Sequence, residues 1–290
     1  MIYDTFMFFN ELELLELRLH ELAGVVDKFV LCEATRTFSN KPKPLWYADN
    51  KSRFSAFSDR IIHVVVDDSL DSSDPWVLDH YQKNCIGRAL RDCRPDDVIM
   101  MSDADEIARA STVAQAAREL TFDSSALSNA VHAAWKSRLA TKMFHRFVRK
   151  HHPFVWVFEQ RMHYYFLNCL CVTNPLWQGT RMLHYRDFTK ADEIRYTGHR
   201  LVPNGGWHFS FMGGIERIQQ KVQAYAHTEF NTPELTSAEY LQKAIEDGRP
   251  FFSDKLKFEF VELDDSYPRY VREHPEKFAS WIKKKGVATG

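Results

Sequence analysis

Short apolar runs alternate with longer amphipathic ones through the first hundred residues. "IYDTFMFF" (2–9) is strand-like. Asn10, with Glu13 three residues on, has the spacing of a capping pair and opens the amphipathic stretch "ELELLELRLHEL" (11–22), which Gly24 ends. "VVDKFVLCEA" (25–34) reads as a strand and so, beyond a loop containing "NKPKPL", does "RIIHVVVDD" (60–68). A helix is predicted around "WVLDHYQKNCIGRALRDC" (76–93), stopped by Pro95, and then a buried strand, "DVIMM" (97–101). Strands alternating with helices predict an α/β fold: a three-layer α/β/α arrangement around a mostly parallel sheet.

Downstream the pattern loosens. "STVAQAAREL" (111–120) predicts a helix, "FVWVFEQRMHYYFLNCL" (154–170) an aromatic strand pair or a strand and loop. "GGWHFSFMGGIERIQQKVQAYAH" (205–227) predicts a strand, a Gly-Gly turn and a helix, and the C-terminal third reads as helical and charged. No repeat, linker or domain boundary stands out.

The strand at 97–101 runs into "SDADEI", which crowds Asp103, Asp105 and Glu106 together. Like charges so close need solvent or a cation. Two carboxylates one residue apart in a bent loop can face one ion, and hard Mg²⁺ or Mn²⁺ takes carboxylate and diphosphate oxygens alike. In parallel sheets ligands bind outside the carboxyl ends of the strands, where this cluster is expected. Solvated carboxylates at a loop start are the plainer reading.

"PNGGWHFSFMGGIERI" (203–218) places His208 in an aromatic run between two glycine pairs. Gly205, Gly206, Gly213 and Gly214 would let the backbone approach a ligand, and the helix after Gly214 offers free N–H groups to phosphate. Glu216, in that helix's first turn, either complements the dipole or acts as a base. Lys83 and Arg88 meet phosphate or uracil in one reading and form a solvated helix face in the other.

With Lys+Arg 38 against Asp+Glu 39, the net charge of −1 gives no general attraction to nucleic acid. The five cysteines match neither a zinc site nor a CxxC pair and are expected reduced. The N-terminus lacks a basic start and no run approaches the about 20 apolar residues of a membrane span, so a cytoplasmic location is expected. From Asp123 to Glu159 no acidic residue intervenes, and Arg138, Lys142, Arg146 and Lys150 fall four apart beside Leu139, Met143 and Phe147. Such a helix over 135–152 suits peripheral contact with the inner face of a membrane, or packing at a homodimer interface.

Three stretches together, "FFNELELLELRLHEL…VVDKFVLCEATRTFSNKPKPL", "RPDDVIMMSDADEI" and "PNGGWHFSFMGGIE", resemble glycosyltransferase family 17 from about residue 2 to about 280. The resemblance implies a single GT-A-like domain, with a nucleotide-binding part over about 1–110 and an acceptor and C-terminal part over about 111–290. It further implies a UDP-N-acetylglucosamine donor, a Mn²⁺ or Mg²⁺ cofactor, inversion at the anomeric carbon, and a glycan acceptor, lipid-linked if the membrane contact holds. Asp103 and Asp105 match the family's D-x-D and His208 its W-H-x-S motif, so these three are the expected metal ligands. Glu33, in the strand-end "CEA", would border the nucleotide together with Lys83, Arg88, Asp103, Gly213 and Gly214. The family's animal members carry an anchor and stem not seen here, and residues 124–154 are not among the stretches that carry the resemblance. An inverting transfer needs a carboxylate base: Glu216 first, then Glu159 and Asp187. Trp156, Tyr164, Tyr165 and Trp177 are candidates to line the acceptor groove. A metal-dependent phosphohydrolase or nucleotidyltransferase, and a non-catalytic glycan-binding protein, are the competing classes.

Overall fold

The computed structural model describes residues 1–68, 70–121 and 154–283, so the basic stretch 135–152 lies outside the described residues. Strands β1 (Ile2–Phe8), β2 (Lys28–Ala34), β3 (Ile61–Val66) and β4 (Val98–Asp103) are parallel, in the spatial order β4-β1-β2-β3. Connections leave β1 first towards β2 and β3 and then return to β4 on its other side. The crevice between the carboxyl ends of β1 and β4 is therefore a topological switch point, the usual ligand position in such sheets. Asp103 sits on it, in register with Met7.

Strands β5 (Glu106–Ala108), β6 (Trp156–Tyr164), β7 (Cys169–Cys171), β8 (Leu176–His184), β9 (Arg200–Ser210) and β10 (Phe258–Phe260) extend the same sheet. Here β6 and β9 are parallel, while β4–β8, β6–β8, β6–β7, β7–β10 and β5–β9 are antiparallel. The parallel half is the predicted α/β sheet, and the added strands make the whole mixed.

Helices are α1 (Leu12–Leu22), α2 (Trp46–Asp49), α3 (Pro75–Asn84), α4 (110–121), α5 (Ala191–Arg195), α6 (Ile215–Ala224), α7 (Ala238–Glu246) and α8 (Arg269–Glu273). On one face of the sheet Leu12, Leu15, Leu19 and Leu22 of α1 pack on Phe6, Phe29 and Leu31. On the other, Cys85, Ile86 and Leu90 cover Tyr3, Val30 and Val64. Alternate strand residues thus feed two cores, which makes three layers.

Several local expectations change. Asn10 does not cap α1; its Nδ2 donates to Gln220 Oε1 at 2.9 Å, and Glu11 holds the N–H groups of Phe9 and Asn10 instead. The helix expected over 76–93 divides at Cys85 into α3 and a 3₁₀ segment, Cys85–Leu90. In the expected helical C-terminal part, among the described residues beyond 227, only α7 and α8 and one short strand interrupt turns and 3₁₀ segments. β8 was not expected at all, since "LWQGTRMLH" carries Gly179 in mid-strand. The space there belongs to Gln160, whose Oε1 would collide with any β-carbon at that position. The five cysteines form no disulfide. Among the described residues no helix is long and apolar enough to cross a membrane.

Glu16 of α1 ties three distant pieces together, accepting from Arg53 at 2.7 Å, Tyr270 at 2.7 Å and Lys277 at 3.0 Å. Partial burial opposes its charge, but these three donors outweigh it and pull its pKa down to about 2. A depressed carboxyl contributes stability above its unfolded value and loses it as pH falls through the folded one. Glu16→Gln is therefore expected to lower the urea midpoint at pH 7, with the gap to wild type narrowing from about pH 4.5 and closing near pH 2.

Candidate active site

The carboxylate cluster is a tight turn between β4 and β5. Arg18, fully buried on α1, forms the turn's floor: its Nη1 donates to the carbonyls of Asp103 (3.0 Å) and Glu106 (3.1 Å). Its Nε and Nη2 grip Asp4 of β1 at 2.6 Å each. Of the three acids, Glu106 faces inward and is fully buried. Its Oε1 accepts from Trp177 Nε1 (2.6 Å) and Arg195 Nη2 (2.5 Å), and its Oε2 from Arg195 Nη1 (2.8 Å) and the Asp103 N–H (3.1 Å). A carboxylate so fully engaged is an anchor for the turn.

Asp103 and Asp105 meet two cation groups, and Asp103 shares Arg195 with Glu106. Asp103 accepts from Arg195 Nη2 at 3.0 Å and remains 40% exposed. Burial opposes its ionisation, but the Arg195 guanidinium and the Lys83 ammonium prevail and hold its carboxyl below the usual range. Asp105, buried, accepts from Lys221 Nζ at 2.6 Å and lies 3.7 Å from His208 Nε2. There too burial is overcome, chiefly by Lys221 and His208, and the carboxyl lies well below the carboxylate range. Lys83, buried on α3, binds Asp79 at 3.1 Å; burial would lower its pKa, but Asp103 and Asp79 raise it. Lys221 is raised likewise, against burial, by Asp105 and Glu11. The pairing of β5 with β9 sets His208 directly opposite Glu106. Its ring stacks on Trp177 at 4.7 Å, and its Nδ1 is buried without a partner.

The structure thus brings Asp103, Asp105, His208 and Lys83 together and adds Arg195, Lys221 and Trp177. Arg195 was missed because its short helix carries no motif. Lys221 was missed because its role depends on where α6 points.

Other expected site residues go elsewhere. Arg88 is fastened to Asp68 at 2.7 and 2.9 Å, beyond the end of β3. Glu33 is fully buried, its oxygens taken by the Tyr47 N–H and by His63 Nε2, both at 3.0 Å. Glu216 is exposed, about 140° around α6 from Lys221 at 3.6 residues per turn. Glu159 lies opposite Gln178, so it occupies the sheet face away from Trp177 and Gln160. Asp187 follows the end of β8, which is antiparallel to β4; His184 already pairs with Val98, about 17 Å along the strand from Asp103. None of the three expected bases reaches the cluster. Gly205 and Gly206 bring β9 against other strands: a β-carbon on Gly205 would sit 2.6 Å from that of Phe158, and one on Gly206 would strike the Ile107 carbonyl. Gly213 and Gly214 do form the expected turn, both with positive φ (93° and 86°), and Gly214 is the N-cap of α6. Trp156 and Tyr165 are core residues, whereas Tyr164 and Trp177 flank His208.

The chain matches glycosyltransferase family 17 over residues 1–164, more than half of its 290 residues. It belongs to that family. The β-1,4-mannosyl-glycoprotein 4-β-N-acetylglucosaminyltransferases of Homo sapiens and Rattus norvegicus are each 35% identical to it over 106 residues. That of Mus musculus is 34% identical over the same length. Each match covers 34% of this chain and 20% of the relative, so the chain spans a fifth of the curated proteins it matches.

Family membership raises the question of whether these residues suit a divalent cation. Among the described residues no three His, Cys, Asp or Glu side chains converge as a ready cage. Magnesium-type sites, however, commonly use one or two carboxylates and complete the shell with substrate phosphates and water. Asp103, part-exposed, and Asp105, 3.7 Å from His208 Nε2, supply that kind of partial shell. The residues present fit an ion shared with a diphosphate.

Removing Arg195 would leave Glu106 buried with its charge uncompensated. Arg195→Ala is expected to destabilise the fold by about 3–5 kcal/mol, the usual cost of breaking a buried pair, read as a shift of the urea unfolding curve.

Proposed function

We propose that this family 17 protein transfers N-acetylglucosamine from UDP-N-acetylglucosamine to a glycan hydroxyl, with inversion and with a divalent cation. The observation that carries the reading is the meeting of Asp103 and Asp105 with Lys83, Arg195 and Lys221 at the β1/β4 switch point. The names of the matched relatives support the sugar and the glycan acceptor.

The charge balance supports a metal here. The carboxylates Asp79, Asp103, Asp105 and Glu106 are matched in number by Lys83, Arg181, Arg195 and Lys221. The carboxylates thus already offset the cations that would otherwise attract a nucleoside diphosphate. A bound divalent ion would make the site net positive and neutralise charge developing on the departing diphosphate. Asp103 and Asp105, with His208, would hold it; Lys83 and Lys221 would face the phosphates. In the transfer, the acceptor oxygen bonds to the anomeric carbon as the bond to the diphosphate breaks, and the hydroxyl proton passes to a base. The buried Trp177–Glu106–Arg195 contacts anchor the turn that carries these ligands. A two-metal hydrolase would need further acidic ligands than the partial shell seen here.

Calorimetric titration with UDP-N-acetylglucosamine is expected to show binding with Mn²⁺ and little without it. Asp103→Asn and Asp105→Asn should abolish the Mn²⁺ dependence while the protein stays folded. Equal binding with and without Mn²⁺ would refute the metal role, and no binding in either case would refute the donor. Glu216→Gln is expected to stay within about threefold of wild-type turnover, against the 10²–10⁴-fold loss of a general base, measured as UDP release with a mannotriose acceptor.

A further inference from the structure

Outside the charged cluster, exposed aromatic rings from three separate elements form one row. Asp74 caps α3, accepting from the Trp76 N–H at 2.9 Å, and Pro75 fills its first turn, so the sequence fixes where Trp76 projects. Trp76, His80 and Lys83 are spaced i, i+4, i+7 and so share one face of α3, the last of them next to Asp103. Tyr196 directly follows Arg195, which holds Asp103 and Glu106. His227 lies beyond the end of α6, the helix that delivers Lys221. The rings touch in sequence, tilted or edge-on to one another: Tyr196 to His80 at 6.5 Å and 70°, His80 to Trp76 at 6.3 Å and 56°, Trp76 to His227 at 4.7 Å and 87°. Tyr196 is 69% exposed and Trp76 38%.

Large rings cost free energy when left in water, and contiguous exposed aromatics on a protein surface mark a binding site. These four flank a charged site on elements that also carry its cations. We propose that Tyr196, His80, Trp76 and His227 are the platform on which the acceptor oligosaccharide lies, as a neutral chain of pyranose rings whose apolar faces meet the faces and edges of these rings in turn. This rests on the transferase reading. A row of four rings is longer than one nucleobase or one monosaccharide, so it suits an extended chain. Its polar edges also select against a polyanion: Asp192 lies 4.0 Å from His80, and Glu229 accepts from His227 at 2.7 Å. Imidazole edges and carboxylates beside the rings are groups that sugar hydroxyls can bond.

The probes are mannotriose and UDP, applied to the whole protein. Saturation-transfer NMR with mannotriose and calorimetry with UDP and Mn²⁺ are run on wild type, Trp76→Ala, Trp76→Phe and Tyr196→Ala. All three substitutions fall on exposed rings, so folding should survive, and circular dichroism checks it. Expected is a roughly tenfold weaker mannotriose interaction in Trp76→Ala, a smaller loss in Tyr196→Ala and near wild-type behaviour in Trp76→Phe, with UDP affinity unchanged within about twofold. Unaltered mannotriose binding in both alanine variants, or none by wild-type protein that binds UDP, would overturn the platform. A parallel fall in UDP affinity would assign the row to the nucleotide and overturn it too. Failure of wild type to bind UDP would instead strike at the transferase reading itself.

Discussion

Arg18 and Asp4 form the contact around which the site is organised. Both are fully buried, one in α1 and the other in the strand it packs on, joined by two bonds of 2.6 Å. A buried ion pair adds little net stability against an apolar pair of similar volume, because desolvation takes back most of the attraction. Its value here is geometric. With Asp4 holding one edge of the planar guanidinium, the other edge collects the Asp103 and Glu106 carbonyls, and Ser102 Oγ is drawn in as well. A turn that bends three carboxylates out of a buried strand would otherwise leave those carbonyls without donors. Lysine could not replace it, since a point charge with three rotatable donors lacks the fork that binds acid and carbonyls at once.

With the backbone held from below, the side chains above are held by charge. Each cation arrives from a different element: Lys83 from α3, Arg195 from α5, Lys221 from α6. Acids this close would repel in an apolar setting, and each is met by cations, Arg195 being shared by Asp103 and Glu106. Asp103 turns to Arg195 and Lys83, Asp105 to Lys221 and His208, Glu106 to Arg195 and Trp177. The lowered pKa values of Asp103 and Asp105 follow, and both favour the ionised form. Fold and site thus depend on each other: the helices that cover the sheet also neutralise the turn.

How much of this was legible depended on range. The parallel half was readable because each strand and helix carries its own period, and the D-x-D turn because an apolar run ends abruptly in acids. Arg18 left a trace too, as a lone cation on a stripe of leucines (Leu14, Leu15, Leu22) opposite a lone acid in an apolar strand. Long-range partners were not readable. Nothing local says that Arg195 meets Glu106 89 residues away, or Lys221 meets Asp105 across 116. The three expected bases were chosen by local company; rotation around α6 sets Glu216 aside, and sheet geometry the other two. Glu159 is on the wrong face by one residue of alternation, and Asp187 at the wrong end because β8 runs antiparallel.

The glycines of "PNGGWHFSFMGGIE" show why one composition supports two jobs. Gly205 and Gly206 have no β-carbon because β5 and β6 press on β9 there, and that close pairing is what sets His208 against Glu106. Gly213 and Gly214 adopt positive φ, which turns the chain sharply out of β9 and starts α6 at the angle that carries Lys221 to Asp105. Neither pair needs to touch a ligand to matter. A side chain at the first would push His208 out of register, and one at the second would swing Lys221 away. Glycine here sets the position of the charges, which is why a motif that looks like a phosphate cradle serves the site from one residue shell further out.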